Sequence, residues 1–248
     1  MPNIRVKQAS IHYPLVRRTD IVERVGFDSR VGGKVSSSAP RAIAHVRALS
    51  DIDLTIDEGD RIAILGPNGS GKSTLLALLA GILPPTSGSV EISGRVTSML
   101  SLNAGLEPKS SGLENIEIRA RLMGNSAKLV RERIPEIVRF AELGQFINLP
   151  MSTYSSGMKF RLSFAIGTAF DPQIIVMDEW LSAGDKWFRD KVANRLHGMV
   201  RGANIFVLAS HNRDVVAKIC SKVIVLNSGS IGFVGAAEKA FQFIDDGG

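Results

Sequence analysis

Residues 66–74 read Gly-Pro-Asn-Gly-Ser-Gly-Lys-Ser-Thr. This stretch satisfies the pattern Gly-x-x-x-x-Gly-Lys-Ser, and it lies between an apolar strand predicted at Arg61–Leu65 and a helix predicted from Lys72 to Ala80. The glycines let the backbone bend until successive N–H groups point at phosphate oxygens, and the positive end of the helix adds to that attraction. The stretch therefore predicts a phosphate-binding loop.

The residue types in this loop predict a nucleoside triphosphate with its magnesium ion as the ligand. Lys72 is expected to reach the β and γ phosphates. Ser73 is expected to place its hydroxyl on Mg²⁺, whose octahedral shell also takes phosphate oxygens and waters. The nucleotide-binding residues predicted here are Gly66, Pro67, Asn68, Gly69, Ser70, Gly71, Lys72, Ser73 and Thr74.

A pair of carboxylates follows a second apolar strand, since Ile174–Met177 runs directly into Asp178 and Glu179. We expect Asp178 to hold the metal through water and Glu179 to orient the water that attacks the γ phosphate. His211 follows another apolar strand, Ile205–Ala209, and therefore emerges at the same edge of the sheet. There it either contacts the γ phosphate or serves the structure alone.

The composition is that of an ordinary globular protein. The chain has 248 residues, of which 44% are hydrophobic and 22% charged, so disorder and a collagen-like repeat are excluded. The apolar runs are far shorter than the roughly 18 residues that cross a bilayer, and no secretory or transit peptide is visible at the start. The single cysteine, Cys220, fits a reducing compartment. We therefore expect a cytoplasmic protein without a membrane anchor of its own.

Strands and helices alternate along most of the chain. Apolar strands are predicted at Ile174–Met177, Ile205–Ala209 and Val223–Leu226, and short strands around Val90–Ile92 and Val96–Leu100. This order favours an α/β fold with a largely parallel sheet and the ligand at the carboxyl ends of the strands.

The segment from residue 15 to residue 48 interrupts that order. The first strand, Asn3–Ile11, is expected to end at Tyr13-Pro14, and the segment then loses periodicity apart from a short helix near Asp20–Val25. It carries seven basic and three acidic residues. We interpret residues 15–48 as a basic insertion or arm, which either faces phosphate on nucleic acid or lipid headgroups or is simply a solvated loop.

Residues 112–170 predict a helical subdomain inserted into the sheet domain. The pattern is helical from Gly112 to about Phe146, with Pro135 marking a break or the first turn of a new helix, and again near Ser156–Phe170. A further helix is expected after Asp185.

Residues 154–158, Tyr-Ser-Ser-Gly-Met, stand at the start of the predicted helix Ser156–Phe170. They resemble the signature Leu-Ser-Gly-Gly-Gln of the ATP-binding-cassette (ABC) ATPases, the nucleotide-binding subunits of ABC transporters, and the likeness covers residues 4 to about 235. The resemblance implies that residues 1–248 form a single P-loop NTPase cassette, with a mostly parallel core sheet, an antiparallel β region and an inserted helical subdomain.

The resemblance also implies a head-to-tail dimer in which two copies of the chain sandwich two ATP molecules. Ser155, Ser156 and Gly157 of one copy would bind the γ phosphate of ATP held by the other. Tyr13 stands where the family stacks an aromatic ring on adenine, although an exposed tyrosine after a strand explains it nearly as well. Residues 182–185, Ser-Ala-Gly-Asp, resemble the loop in which the two subunits touch.

Departures from the family pattern resemble one branch of the family. The stretch Ser101–Gly105 contains no glutamine, where the family usually has one that touches the metal, and Ser101 or Asn103 could replace it only in part. The variant signature, Ala183-Gly184-Asp185 and the long arm resemble the ABC-2 branch, which exports lipid-linked polysaccharides such as O antigen, capsule and teichoic acid. The basic arm would then lie near the membrane.

The function predicted from these features is an ATPase that drives export of a lipid-linked polysaccharide through a separate integral-membrane permease. The chain would touch the cytoplasmic face of the membrane peripherally, and no nucleic acid is expected as a partner. The alternative is a soluble ABC ATPase acting on ribosomes or nucleic acid, although such proteins usually carry two cassettes or a long coiled coil. A P-loop GTPase or small-molecule kinase is disfavoured because neither Asn-Lys-x-Asp nor a substrate lid is present.

Overall fold

The computed structural model describes residues 1–15, 34–36, 44–100, 102–179 and 186–247. The chain divides into two compact units: the first comprises residues 1–94, 176–179 and 204–248, and the second comprises residues 95–175 and 180–203. Three features singled out in the sequence lie outside the described residues, namely the helix expected near Asp20–Val25, Ser101, and the loop at residues 182–185.

Within the described residues, strands and helices alternate as expected mainly in the last third of the chain, whereas four strands precede the first helix and three helices follow one another in the middle. The strands are β1 Asn3–Leu15, β2 Lys34–Ser36, β3 Ala44–Ile56, β4 Arg61–Leu65, β5 Ser87–Ser93, β6 Val96–Ser98, β7 Ile174–Asp178, β8 Ile205–Ala209, β9 Lys222–Asn227 and β10 Ser230–Gly235. The helices are α1 Lys72–Leu79, α2 Gly112–Leu122, α3 Ala127–Ala141, α4 Ser156–Gly167, α5 Lys186–Gly202, α6 Arg213–Ile219 and α7 Ala237–Asp245, with 3₁₀ turns at Gly144–Asn148 and Met151–Thr153.

The main sheet of the first unit has the strand order β10-β9-β4-β8-β7. Strand β4 is parallel to β8 and to β9, and β10 runs antiparallel to β9. All five residues of β8 are buried, as are four of the five in β4 and in β7. Continuous apolar strands of this kind need cover on both faces, which is why they occur in parallel sheets. The predicted α/β class with a mostly parallel sheet is confirmed.

A second, antiparallel sheet in the same unit has the order β2-β3-β1-β5. Strand β1 does not end at Tyr13-Pro14, as the sequence suggested, but continues to Leu15 against β3, where Pro14 is opposite His45. Its other neighbour, β5, pairs with it only as far as Ser10. Pro14 therefore lies on an edge, where the missing N–H costs no ladder bond, and a proline is tolerated there. Of the arm, the described parts are strand: Leu15 at the end of β1, then β2, and residues 44–48 of β3.

The second unit contains the helical region predicted at residues 112–170. Helix α2 begins with a capping box, in which Ser111 and Glu114 satisfy each other's backbone N–H groups, and it ends just before Gly124, whose φ is 83°. The break thus comes at Gly124, and Pro135 lies inside α3 instead of ending a helix. The buried face of α3 explains this, because packing of an amphipathic helix outweighs the loss of one hydrogen bond.

The second unit has its own core, which α2, α3, α4 and the two 3₁₀ turns share. Its members are Ile116, Ala120, Val130, Ile137, Ala141, Leu143, Ile147, Met151, Tyr154, Leu162, Ala165, Ile166, Ala169 and Phe170. Within the ranges that the structure describes, none of the helices combines the length and hydropathy needed to cross a bilayer.

Candidate functional site

The phosphate loop joins the carboxyl end of β4 to the start of α1. Its glycines Gly66, Gly69 and Gly71 have positive φ values of 148°, 79° and 103°. A Cβ on Gly66 would lie 2.3 Å from the carbonyl oxygen of Leu226 in β9, and one on Gly71 would lie 2.6 Å from that of Ala48 in β3. Side chains are excluded at both positions, so the loop is seated directly on neighbouring backbone.

The other loop residues divide by exposure. Pro67 and Asn68 are exposed at the tip, and Ser70 is buried beneath them, where its N–H donates to Pro67 O over 3.2 Å. Ser73 is exposed and Thr74 partly buried at the start of α1. The tip and the first turn of the helix therefore present a continuous accessible surface.

The ammonium group of Lys72 lies over this loop. Its Nζ donates to the carbonyl oxygens of Gly66 and Pro67, each over 2.9 Å. Burial lowers the pKa of Lys72, while the negative charges of Asp178 and Glu179 act in the opposite direction. A cation is thus held beside the loop and within the field of two carboxylates.

Ser73 and Asp178 are brought together as the sequence predicted. The hydroxyl of Ser73 donates to Oδ2 of Asp178 over 2.8 Å, although 105 residues separate them in the chain. Asp178 ends β7 and Ser73 lies in the first turn of α1, so the parallel sheet places both at its carboxyl edge. A hydroxyl and a carboxylate are hard oxygen donors of the kind that Mg²⁺ prefers, so the pair fits that ion.

Glu179 has an unusual backbone conformation. Its φ is 63°, in the left-handed region that residues with a side chain rarely adopt. Its N–H donates to Ala209 O over 2.8 Å, which ties the end of β7 to the end of β8, and its side chain is exposed. The carboxylate therefore projects from the same sheet edge as Asp178 into open space.

His211 lies beside the phosphate loop, as its position after β8 predicted. It lines a cavity with Gly66, Pro67 and Asn68 of the loop, and with Arg213. The following residue caps α6: the side chain of Asn212 accepts from the backbone N–H groups two and three residues on. The cap thus holds the backbone directly after His211 in place.

Tyr13 lies near the end of β1 in the antiparallel sheet. It is opposite Val46 on β3, and two residues earlier Ile11 is opposite Leu49. The side chain of Leu49 would be 3.0 Å from a Cβ on Gly71 of the loop. Tyr13 is 42% exposed, so its ring is available to a flat ligand, but no described contact ties it to one.

Ser155, Ser156 and Gly157 are in the second unit, at the start of α4. The Ser155 side chain is the N-cap, accepting from Met158 N–H over 3.2 Å, and all three residues are exposed. A Cβ on Gly157 would meet only the Ser155 hydroxyl, at 3.9 Å. The structure thus groups the loop, Asp178, Glu179 and His211 in the first unit, and presents the signature separately as an accessible helix N-terminus.

The stretch that lacks the family's usual glutamine is hydrogen-bonded, through Leu102 and Asn103, to two helices of the second unit. Oδ1 of Asn103 accepts from the Ser163 hydroxyl of α4 over 2.9 Å, and a guanidinium N–H of Arg119 donates to Leu102 O. Burial lowers the pKa of Arg119 to about 10. Sequence reasoning missed Arg119, because an arginine in a helix of mixed charge is usually exposed to solvent. The apolar residues Ile116 and Ala120, at helical spacing around it, mark the face that is buried.

Comparisons with known proteins agree with this architecture. A sequence model of the family described as ABC transporter matches residues 49–182. The O-antigen export system ATP-binding protein RfbE of Yersinia enterocolitica is 38% identical over 237 residues, which cover 93% of this chain and 97% of the relative. RfbB of Klebsiella pneumoniae, of the same description, is 39% identical over 79% of each chain. The teichoic acids export ATP-binding protein TagH of Staphylococcus haemolyticus is 38% identical over 80% of this chain and 76% of its own.

Solved structures share the fold at lower identity. A dimeric ATP-binding cassette in a post-hydrolysis state with ADP and Pi superposes with a TM-score of 0.67 at 22% identity, covering 94% of this chain and 98% of that one. The ATP-binding subunit of an ABC transporter superposes with a TM-score of 0.68 at 20% identity, covering 99% and 95%.

Proposed function

The chain belongs to the ABC transporter family, and on that premise we propose that it is the ATP-hydrolysing motor subunit of an exporter that moves a lipid-linked polysaccharide through a separate membrane permease. The observation that carries the ATPase part is the joint placement of Lys72, Ser73 and Asp178 at one sheet edge, with Ser73 and Asp178 2.8 Å apart. The reaction is transfer of the γ phosphoryl group of ATP to water.

The phosphate loop binds and orients the substrate. Its backbone N–H groups face the phosphates, and Lys72 exchanges its two carbonyl partners for phosphate oxygens. Ser73 and Asp178 are the residues that would hold Mg²⁺. When bound, that ion neutralises charge on the phosphates. Positioning and charge neutralisation supply most of the rate effect in such reactions.

Glu179 and His211 act at the γ phosphate. The exposed carboxylate of Glu179, at the end of β7, orients the attacking water by accepting a hydrogen bond from it. His211, beside the loop tip, contacts the γ phosphate as a donor. Tyr13 offers an exposed ring to adenine.

A second copy of the chain completes the site. Ser155, Ser156 and Gly157 are exposed at a helix N-terminus, which suits an anion from outside the chain. In a head-to-tail dimer these residues close on ATP held by the partner, and two ATP molecules are enclosed. ATP binding closes this dimer and hydrolysis reopens it.

The cargo follows from the relatives. Proteins 38–39% identical to this chain are described as ATP-binding proteins of O-antigen export and of teichoic acids export. O antigen and teichoic acid are both carbohydrate polymers assembled on a lipid carrier, so a lipid-linked polysaccharide is the class of cargo that these descriptions share. The permease supplies the path, and the helical segment Gly112–Phe146 transmits the motion to it.

Purification of the tagged chain from a mild-detergent extract of its native membrane tests the transporter assignment. A multi-span protein without a cassette, recovered in stoichiometric amount, is the expected result. Ribosomal proteins or DNA-bound proteins without such a permease would contradict the assignment. A tagged Lys72→Ala chain is the matched control, because it should recover the same permease while failing to hydrolyse ATP.

The basic segment 15–48 is proposed to contact the cytoplasmic surface of the membrane, where anionic headgroups attract Lys and Arg. Deletion of residues 17–41 should leave ATP hydrolysis intact while reducing recovery with the membrane and export. If the deletion abolished nucleotide binding instead, the segment would belong to the nucleotide site and the membrane proposal would fail.

A further inference from the structure

Residues 149–153, which lead into the signature-like stretch, are hydrogen-bonded to the loop that leads into α2. Met151 N–H donates to Ser110 O over 2.9 Å, and Ser152 N–H donates to Pro108 O over 2.8 Å. Pro150 forms an isolated β-bridge with Ser111, the N-cap of α2. The entrance to the signature helix thus depends on the entrance to α2.

A buried amide holds that second loop in place. Asn115 is fully buried, and its Nδ2 donates to the carbonyl oxygens of Glu107, Ser110 and Ser111 over 2.8–3.1 Å. Its Oδ1 accepts from Glu107 N–H over 2.7 Å. A polar side chain this deeply buried and fully bonded fixes one conformation of the residues around it.

Tyr154, the first residue of the signature-like stretch 154–158, adds a third attachment. Its side chain is in the core, 5% exposed, and its hydroxyl donates to Phe146 O over 2.6 Å. Gly112, the first residue of α2, leaves space for this hydroxyl, since a Cβ there would lie 2.3 Å from it. The ABC signature resembled by residues 154–158 has leucine at this position, and a leucine can make no such hydrogen bond.

We propose that Tyr154 is a positioning residue for the signature: by bonding Phe146 O against Gly112, its hydroxyl fixes the direction in which Ser155, Ser156 and Gly157 leave the core. The inference rests on the proposed function, in which these exposed residues close on ATP held by a second copy. Tyr154 touches no nucleotide itself. Its contribution therefore appears when two copies close, and not when one copy binds ATP in its own phosphate loop.

Tyr154→Phe tests this, because it removes one oxygen and leaves the ring in the core. ATP affinity of the single chain, measured by titration with a fluorescent ATP analogue at low protein concentration, should change by less than about twofold. Kcat of ATP hydrolysis should fall about fivefold to tenfold, the scale of one lost hydrogen bond. The protein concentration for half-maximal ATP-driven dimerisation, measured by sedimentation in a Glu179→Gln background, should rise by a similar factor.

Thr168→Val is the matched control. The Thr168 hydroxyl is buried at the other end of α4 and donates to Phe164 O over 2.8 Å, so its loss also costs one internal hydrogen bond in the second unit. This variant should lower the melting temperature about as much as Tyr154→Phe while keeping kcat and dimerisation. That split separates positioning from general loss of stability.

Three outcomes decide the matter. A selective loss in Tyr154→Phe supports the inference. Equal kcat and dimerisation in Tyr154→Phe and the unsubstituted chain, or equal losses in Tyr154→Phe and Thr168→Val, overturn it while leaving the proposed function standing. An unsubstituted chain that neither dimerises with ATP nor hydrolyses it overturns the proposed function, and the inference falls with it.

Discussion

The hydroxyl of Ser73 donates to Oδ2 of Asp178 over 2.8 Å, across 105 residues of sequence. Asp178 ends β7, and Ser73 lies in the first turn of the helix that follows β4 and the phosphate loop. The contact shows that the loop and the acidic strand end, recognised separately in the sequence, form one site within the first unit.

Glu179→Gln should leave ATP affinity within about twofold and slow hydrolysis at least about a hundredfold, because the amide keeps the shape of the side chain but loses the charge that orients water. Steady-state phosphate release and ATP titration measure the two quantities. Glu132→Gln, an exposed glutamate on α3, is the control and should behave like the unsubstituted chain. Unchanged turnover in Glu179→Gln would remove Glu179 from its proposed role.

Gly71→Ala should reduce stability and ATP affinity more than Gly59→Ala does, although the two glycines have similar φ values. Their φ values are 103° and 94°, so both substitutions introduce backbone strain of about 1 kcal/mol. A Cβ at Gly59 meets nothing within 4 Å, whereas one at Gly71 lies 2.6 Å from Ala48 O. Gly71→Ala should therefore be the less stable variant and should weaken ATP binding at least about tenfold, while Gly59→Ala keeps normal affinity.

Urea unfolding followed by circular dichroism gives the stability of these two glycine variants, and nucleotide titration gives the affinity. Equal ATP affinity in both variants would show that the close approach of the loop to β3 is not needed for binding.

The effects of Gly112→Ala and Tyr154→Phe on the free energy of unfolding should not be additive. Alone, Gly112→Ala places a methyl group 2.3 Å from the Tyr154 hydroxyl, which costs about 1–3 kcal/mol of stability by overpacking. In the double variant the oxygen is gone, so part of that penalty should disappear and leave a coupling energy of at least about 0.5 kcal/mol. Urea unfolding of the four proteins in the cycle measures it, and strict additivity would show that the two groups do not compete for the same space.

Cys220 should be almost unreactive in the folded chain. Burial raises the pKa of its thiol from 9.0 to about 12, so at pH 8 only about one molecule in 10,000 carries the reactive thiolate. Reaction with a thiol-specific reagent at pH 8 should be slow in buffer and rapid in concentrated urea. Cys220 is only 7% exposed, so fast modification of the folded protein would mean that the structure around the thiol opens frequently.

The features predicted best from the sequence are those formed by residues that are consecutive in the chain. The phosphate loop, the strand leading into Asp178 and the helix following Ser155 are continuous patterns, and each appears where expected. Pro14 and Pro135 were misread because their acceptance depends on a missing strand neighbour and on a buried helix face, neither of which a local pattern contains. The roles assigned to the site residues remain predictions.

The supports of the signature could not be predicted at all. The Tyr154 hydroxyl reaches Phe146 O only because a 3₁₀ turn brings residues 144–148 back towards α2, and the space at Gly112 exists only in the packed unit. Asn103 bonds Ser163, 60 residues away. Such contacts join residues from separate segments that meet only in the packed structure, so a local sequence pattern does not reveal them.

The left-handed backbone of Glu179 has a consequence for how this protein can change. Asparagine is better tolerated than glutamate at φ 63°, so Glu179→Asn should raise the melting temperature while it shortens the side chain and removes the charge proposed to orient water. The fold and the reaction therefore favour different residues at this position. Selection for heat resistance alone should replace the glutamate at position 179. Selection for turnover should retain the glutamate, although the protein is then less stable. Parallel melting and turnover measurements on Glu179→Asn would reveal that opposition, and a variant that melts no higher than the unsubstituted chain would show that none exists.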